Sequence, residues 1–201
     1  MSLPLVVAIT GASGVIYGVE LLKVLQYSDV ATHLILSESA ARSLAIETRY
    51  SVAEVRALAD VVYNNKDIGA AVASGSFLTR GMVIVPCTIK TLSGIANSYN
   101  DNLVTRAADV MLKEKRPLVM MVRETPLHKG HLQMMVRCAD LGATILPPMP
   151  AFYHNPQTIQ DIIHHSLGKV LDQLGIEHQL FKRWGSAPEV VAQEAVREQE
   201  S

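Results

Sequence analysis

The residues best suited to chemistry stand where short apolar runs end. Arg123 and Glu124 directly follow residues 118–122, and a guanidinium beside a carboxylate can clamp an anion and move a proton. Thr88, Ile89, Lys90 and Thr91 follow the run at 82–85 and Pro86-Cys87. Two hydroxyls, an ammonium and the unpaired N–H groups of a helix start suit a phosphate monoester, since helix-end donors and a nearby cation both favour the dianion. Ser37 ends the run at 33–36, and Gly11, Ala12, Ser13 and Gly14 end the run at 5–9 with Gly18 beyond. Glycines so placed let backbone N–H groups approach a ligand closely, although a turn required only for helix–sheet packing would use them equally.

The spacing 11, 14, 18 is not G-x-G-x-x-G, and lies one residue beyond the related T-G-x-x-G-x-x-G. A nicotinamide cofactor would also require an acid at the end of the second strand, where this chain has Ser37 followed by Glu38. Arg106, Asp109 and Lys113 fall at i, i+3 and i+7 on one helical face, which alone reads as a solvated surface. Pro147, Pro148 and Pro150 stiffen a loop that carries Phe152, Tyr153 and His154. His128-x-x-His131 lacks further ligands at useful spacing, so no metal is expected. Cys87 has no neighbouring base in sequence and reads as a small buried thiol rather than a nucleophile.

These positions need elements that hold them at one edge. Continuous apolar runs near 5–9, 33–36, 61–63, 82–85, 118–122 and 144–146 alternate with helical patterns at 15–26, 38–45, 52–59, 91–96, 103–115, 131–141 and 158–174. Short runs buried on both faces and separated by helices predict a three-layer, doubly wound parallel α/β sheet of five to six strands, Rossmann- or flavodoxin-like, in a single domain. That domain spans 1–185, with 186–201 as a surface helix or tail. Ligands of such sheets lie outside the carboxyl ends of the strands, where the residues named above gather.

Composition narrows the partners. The 201 residues are 49% hydrophobic and 18% charged, with 18 Lys and Arg against 19 Asp and Glu. A net charge of −1 offers no field for nucleic acid or an anionic membrane. A charged fraction below the roughly 25% of ordinary domains predicts that other copies of the chain cover part of the surface. Two well-separated cysteines, no basic leader and no apolar run of membrane-spanning length predict a cytoplasmic protein.

The ordered motifs together resemble the UbiX-type flavin prenyltransferases, within the larger group of homo-oligomeric flavin-binding proteins that includes the cysteine decarboxylases. The resemblance covers residues 7–184, and among its marks are Thr10-Gly11-Ala12-Ser13-Gly14, Glu47-Thr48, Ser74-Gly75-Ser76-Phe77, Pro86-Cys87-Thr88-Ile89-Lys90-Thr91, Arg123-Glu124-Thr125-Pro126 and Arg183-Trp184. It implies transfer of a dimethylallyl group from dimethylallyl monophosphate to N5 and C6 of reduced FMN, without a metal. The product would serve a UbiD-type decarboxylase, and the assembly would be a homo-oligomer, with a dodecamer as one candidate size.

By the same resemblance Gly11, Ala12, Ser13, Ser37, Thr88, Ile89, Lys90, Thr91 and Arg123 hold FMN. Ser74, Arg106, Lys113, Arg123, Tyr153, Lys169 and Trp184 surround the dimethylallyl phosphate, some of them supplied across subunit contacts. Ser13, Glu47 and Glu124 position groups and move protons, with Arg123 holding Glu124 ionised. Some relatives carry Arg where this chain has Lys169, which keeps the charge and loses the bidentate fork. Two rival readings remain. An FMN-dependent cysteine decarboxylase would carry a functional His in the loop before the fourth strand, where this chain reads Ser74-Gly75-Ser76-Phe77-Leu78-Thr79. A non-catalytic FMN carrier would not need Arg106, Lys113, Glu124 and Lys169.

Overall fold

The computed structural model describes residues 3–183. Six parallel strands form one sheet: β1 (Leu5–Ile9), β2 (Thr32–Leu36), β3 (Val61–Asn64), β4 (Gly81–Cys87), β5 (Leu118–Val122) and β6 (Thr144–Ile145), in the spatial order β3-β2-β1-β4-β5-β6. Seven α-helices cover it: α1 (Val15–Leu25), α2 (Glu38–Glu47), α3 (Val52–Ala57), α4 (Ile89–Ala96), α5 (Leu103–Lys113), α6 (Lys129–Asp140) and α7 (Ile159–Gln173). The sheet is thus doubly wound between two helical layers, as the apolar runs predict, and has six strands.

Period-two alternation along β1 decides the two cores. Leu5, Val7 and Ile9 face one core with α1, α2, α3 and α7, whereas Val6 and Ala8 face the other with α4 and α5. The helices close on the sheet through small residues. A Cβ on Gly18 of α1 would lie 2.6 Å from the Val85 carbonyl oxygen, and one on Gly11 would overlap Ser39. Both glycines are thus required by packing, whatever ligand the loop receives.

The strand order reverses between β1 and β4, and the crevice there is where ligands of such sheets bind. Thr10 joins the two strand ends. Its hydroxyl donates to the Pro86 carbonyl at 2.7 Å and accepts the Thr88 N–H at 2.9 Å.

Candidate active site

Thr88 is the N-cap of α4: its hydroxyl accepts the Thr91 N–H at 3.1 Å and donates to the Thr91 hydroxyl at 3.0 Å. The helix therefore starts at Ile89, two residues earlier than periodicity predicts, because a capping Thr and not the first apolar repeat sets its boundary. The N–H groups of Ile89 and Lys90 fall in the first turn, where a helix offers them no internal acceptor. Ser37 caps α2 in the same way, accepting the Ala40 N–H at 3.1 Å and lying 3.0 Å from the Ser39 hydroxyl.

Ser37, Thr88, Lys90 and Thr91 come together around a cavity of about 580 Å³. Sequence reasoning placed these four and missed Asn65, Asn102, Ser39 and Tyr99, which line the same space. Asn65 braces the far wall. Its Oδ1 accepts the Val104 N–H at 3.1 Å and its carbonyl accepts the Leu103 N–H at 2.8 Å, tying the end of β3 to the start of α5. The signal was present in the pair Asn64-Asn65, two amides at a strand's carboxyl end. Lys90 itself is largely exposed and pairs with Asp101 at 3.6 Å.

The start of α1 is arranged differently. Gly14 has φ of +96° and carries no side-chain cap, so Glu47 from the end of α2 supplies one, its Oε2 accepting the N–H groups of Gly14 at 2.8 Å and Val15 at 3.3 Å. A protein carboxylate thus occupies the anion position of the first helix, where a dinucleotide's pyrophosphate would sit. The start of α4 has no such carboxylate cap, its N-cap being the Thr88 hydroxyl. Ala12 is buried and Ser13 exposed in this loop.

Arg123 and Glu124 leave β5 together but do not pair. The Arg123 N–H bonds the Cys87 carbonyl at 3.2 Å, and Glu124 Oε1 accepts the Thr125 N–H at 2.9 Å. Among the described residues no ion pair joins the two side chains, contrary to the expectation that Arg123 holds Glu124, because consecutive residues of extended chain point to opposite sides.

The cationic residues assigned to the second substrate fall into two groups, on α5 and on α7, and Arg106 of α5 directly follows Thr105, which lines the cavity at the α4 start. Arg106 pairs with Asp109 at 3.3 Å, whereas Lys113 pairs with Glu114 and not with Asp109. Ser74 precedes Gly75, whose Cβ would lie 2.6 Å from Lys113 Nζ. Arg116 donates to the Gly75 carbonyl at 2.6 Å and to the Phe77 carbonyl at 2.7 Å, and Met82 bonds the Pro117 carbonyl at the start of β4. Ser74 and Lys113 therefore lie toward the amino-terminal edge of the sheet, opposite Ser37, Thr88 and Arg123. A seven-residue strand separates the edges by roughly 20 Å.

The other group surrounds α7. The Tyr153 hydroxyl lies 2.8 Å from His165 Nε2, and Lys169 is one turn further along the helix, 3.8 Å from Asp172. Trp184 and the expected tail at 186–201 lie outside the described residues.

One expectation about an unreactive side chain is met. Cys87 is buried, and burial first, with a contribution from Cys138, raises its thiol far above the ordinary range. His128 is the N-cap of α6, its Nδ1 accepting the N–H groups of Gly130 at 3.0 Å and His131 at 3.4 Å, with the two histidine rings 3.5 Å apart. Among the described residues no group of three or more His, Cys, Asp or Glu could hold a metal ion, and no helix is long and apolar enough to cross a membrane.

Comparison with known proteins agrees with this geometry. Residues 2–170 match the family described as Flavoprotein. The chain is 58% identical to the flavin prenyltransferase UbiX of Salmonella typhimurium over 186 residues, covering 91% of this chain and 98% of that protein. To the UbiX of Thauera aromatica it is 54% identical over 180 residues, covering 90% and 93%. The crystal structure of AnUbiX (PadA1) in complex with FMN and dimethylallyl pyrophosphate superposes with a TM-score of 0.91 at 44% identity, covering 94% of this chain and 100% of that one. A dodecameric FMN-dependent UbiX-like decarboxylase from Escherichia coli O157:H7 superposes with a TM-score of 0.89 at 48% identity, covering 91% and 100%. The chain belongs to the flavoprotein family and, within it, to the UbiX-type flavin prenyltransferases.

Proposed function

We propose that this protein transfers a dimethylallyl group from dimethylallyl monophosphate to N5 and C6 of reduced FMN. The observation that carries the reading is a monophosphate cradle at the α4 start, in a chain whose α1 anion position is already filled by Glu47. A cradle of that kind suits the single phosphate of FMN. The AnUbiX relative holds FMN and dimethylallyl pyrophosphate, the same flavin and a prenyl phosphate of the same class.

In this reading Thr88, Ile89, Lys90, Thr91 and Ser37 bind the FMN phosphate, while Gly11, Ala12, Ser13 and Arg123 border the rest of the flavin. Ser37 and Thr88 are already fixed by the helices they cap, so little ordering accompanies binding. Heterolysis of an allylic C–O bond puts charge on the departing phosphate, which Arg106, Lys113, Lys169 and Arg123 stabilise in a site that excludes water. Ser74 and Tyr153 hydrogen-bond that phosphate. Trp184 belongs to the same wall by resemblance.

Glu124 is the group that accepts the proton lost from C6, since among the described residues its carboxylate is bound only through Oε1 to the Thr125 amide. Glu47 commits Oε2 to α1, so any proton it moves uses Oε1, which makes no hydrogen bond among the described residues.

Ser74 and Lys113 lie at the opposite sheet edge from Thr88 and Arg123, so one chain alone does not assemble these residues. A homo-oligomer in which a neighbouring copy delivers Ser74 and Lys113 completes the site. Exposed Leu132 and Val136 of α6, with Met149 and Phe152 of the proline-rich loop, provide apolar surface for such contacts. A dodecamer is the size the E. coli relative adopts. The prenylated product would pass to a UbiD-type decarboxylase, and free buried thiols fit a reducing cytoplasm.

Anaerobic assay of prenyl transfer with reduced FMN tests the reading. Turnover separates an enzyme from a flavin carrier, and decarboxylation of a cysteine-terminated peptide without prenyl transfer would favour the cysteine decarboxylase.

A further inference from the structure

Packing on the sheet explains Ile163, Leu167, Val170 and Leu171 of α7 but not its buried histidine. His165 is 7% exposed, and ring systems enclose it. The His154 ring stacks on it at 4.7 Å and 8°, Phe181 lies at 4.7 Å, and Tyr153 stands edge-on at 5.5 Å and 80°. Phe181 reaches this place because Gly168 has no side chain, and a Cβ there would overlap the phenyl ring. Burial first, then the charges of His154 and Lys169, holds the His165 imidazole below its ordinary range. His165 is therefore neutral at neutral pH and carries a single N–H.

That N–H decides what Tyr153 can offer a ligand. If the phenol donates to Nε2, the oxygen presents only lone pairs outward and repels a phosphate. If Nε2–H donates to the phenol oxygen, the phenol keeps its own hydrogen for an anion. Lys169, one turn from His165 on α7, brings a cation close enough for its charge to act on the imidazole. Tyr153 is half-exposed on a loop whose own backbone bonds are local turns, Met149 to Pro147 and Asn155 to Phe152, so regular backbone pairing does not fix it.

We propose that His165 is a positioning residue for the prenyl donor: its Nε2–H donates to the Tyr153 oxygen, anchors the loop to α7 and turns the phenol hydrogen toward the phosphate beside Lys169. The proposal rests on the reading that Tyr153 and Lys169 hold the dimethylallyl phosphate.

The test is steady-state prenyl transfer at saturating reduced FMN with dimethylallyl monophosphate varied. His165→Leu keeps bulk and removes the donor. His165→Asn, whose amide reaches only the Nδ1 position, is a second removal should the leucine variant fold poorly. His165→Gln returns an N–H near Nε2.

Either removal should raise KM for dimethylallyl monophosphate about tenfold or more, the loss expected when a hydrogen bond to a charged group is misaligned. The value of kcat and the affinity for FMN should stay near the parent's, and His165→Gln should recover most of the loss. In a Tyr153→Phe background, His165→Leu should add no further loss, because the hydroxyl it orients is gone. Unchanged KM in the removal variants overturns the proposal, as does a glutamine variant no better than leucine, or losses that multiply in the double variant. A parent protein that makes no prenylated flavin overturns the functional reading itself, which is seen before any variant is compared.

Discussion

Glu47 closes the amino terminus of α1 through the N–H of Gly14, 33 residues earlier in the chain, at 2.8 Å. One carboxylate thereby satisfies two first-turn donors and neutralises the positive end of the helix dipole. This contact gives Glu47 a structural duty separate from the proton transfer proposed for it.

Glu47→Ala should lower stability by about 1 kcal/mol, the cost typical of a lost N-cap. Glu47→Gln keeps an acceptor oxygen and should lose less. Chemical denaturation of the flavin-free protein measures both. Equal stability of all three proteins would show that the cap is incidental.

Both thiols should be inert in the folded protein. Burial pushes Cys138 up to about 11 and Cys87 well above the ordinary thiol range. The thiolate is the reactive form, and a raised pKa leaves each group protonated at pH 8. Iodoacetamide at that pH should label neither cysteine in the native protein and both in denaturant, as read by intact mass. Rapid native labelling of Cys87 would contradict the packing described here.

Subunit sharing of the site predicts complementation. Lys113→Ala and Arg123→Ala should each lose on the order of 2–4 kcal/mol of barrier lowering, by analogy with lost oxyanion donors. Oligomers assembled from a mixture of the two inactive chains should regain activity at about a quarter of their sites, because each site draws independently on two chains. Mixed oligomers as inactive as either parent variant would place all these residues in one chain.

Glu124→Gln should retain FMN within twofold of the parent affinity and slow product formation by about a hundredfold or more, the range of a lost general base. Rapid anaerobic quenching followed by chromatography of the released flavin reads the rate. A variant that forms product at the parent rate would leave the departing phosphate as the base, and Glu124 as a loop residue bound to Thr125.

The central strands β1, β4 and β5 were legible because each is a short apolar run buried on both faces, and the α4 cradle was legible because its residues are consecutive. What escaped were contacts between distant residues. Nothing in the spacing of Glu47 and Gly14, or of Tyr153 and His165, marks them as partners, since turns and helix packing bring them together. Caps displaced boundaries for a related reason: Thr88 and His128 start their helices before the apolar repeat begins. The stripe Arg106, Asp109, Lys113 was read correctly as one helix face, but its distance from Thr88 depends on which sheet edge the helix end meets.

The most direct test is the mass of the flavin released after anaerobic incubation of the purified protein with reduced FMN and dimethylallyl monophosphate. A flavin heavier than FMN by one five-carbon prenyl unit, formed in repeated turnovers, is the expected result. Recovery of unmodified FMN alone, from protein that binds FMN fully, would contradict the assignment and leave a flavin carrier.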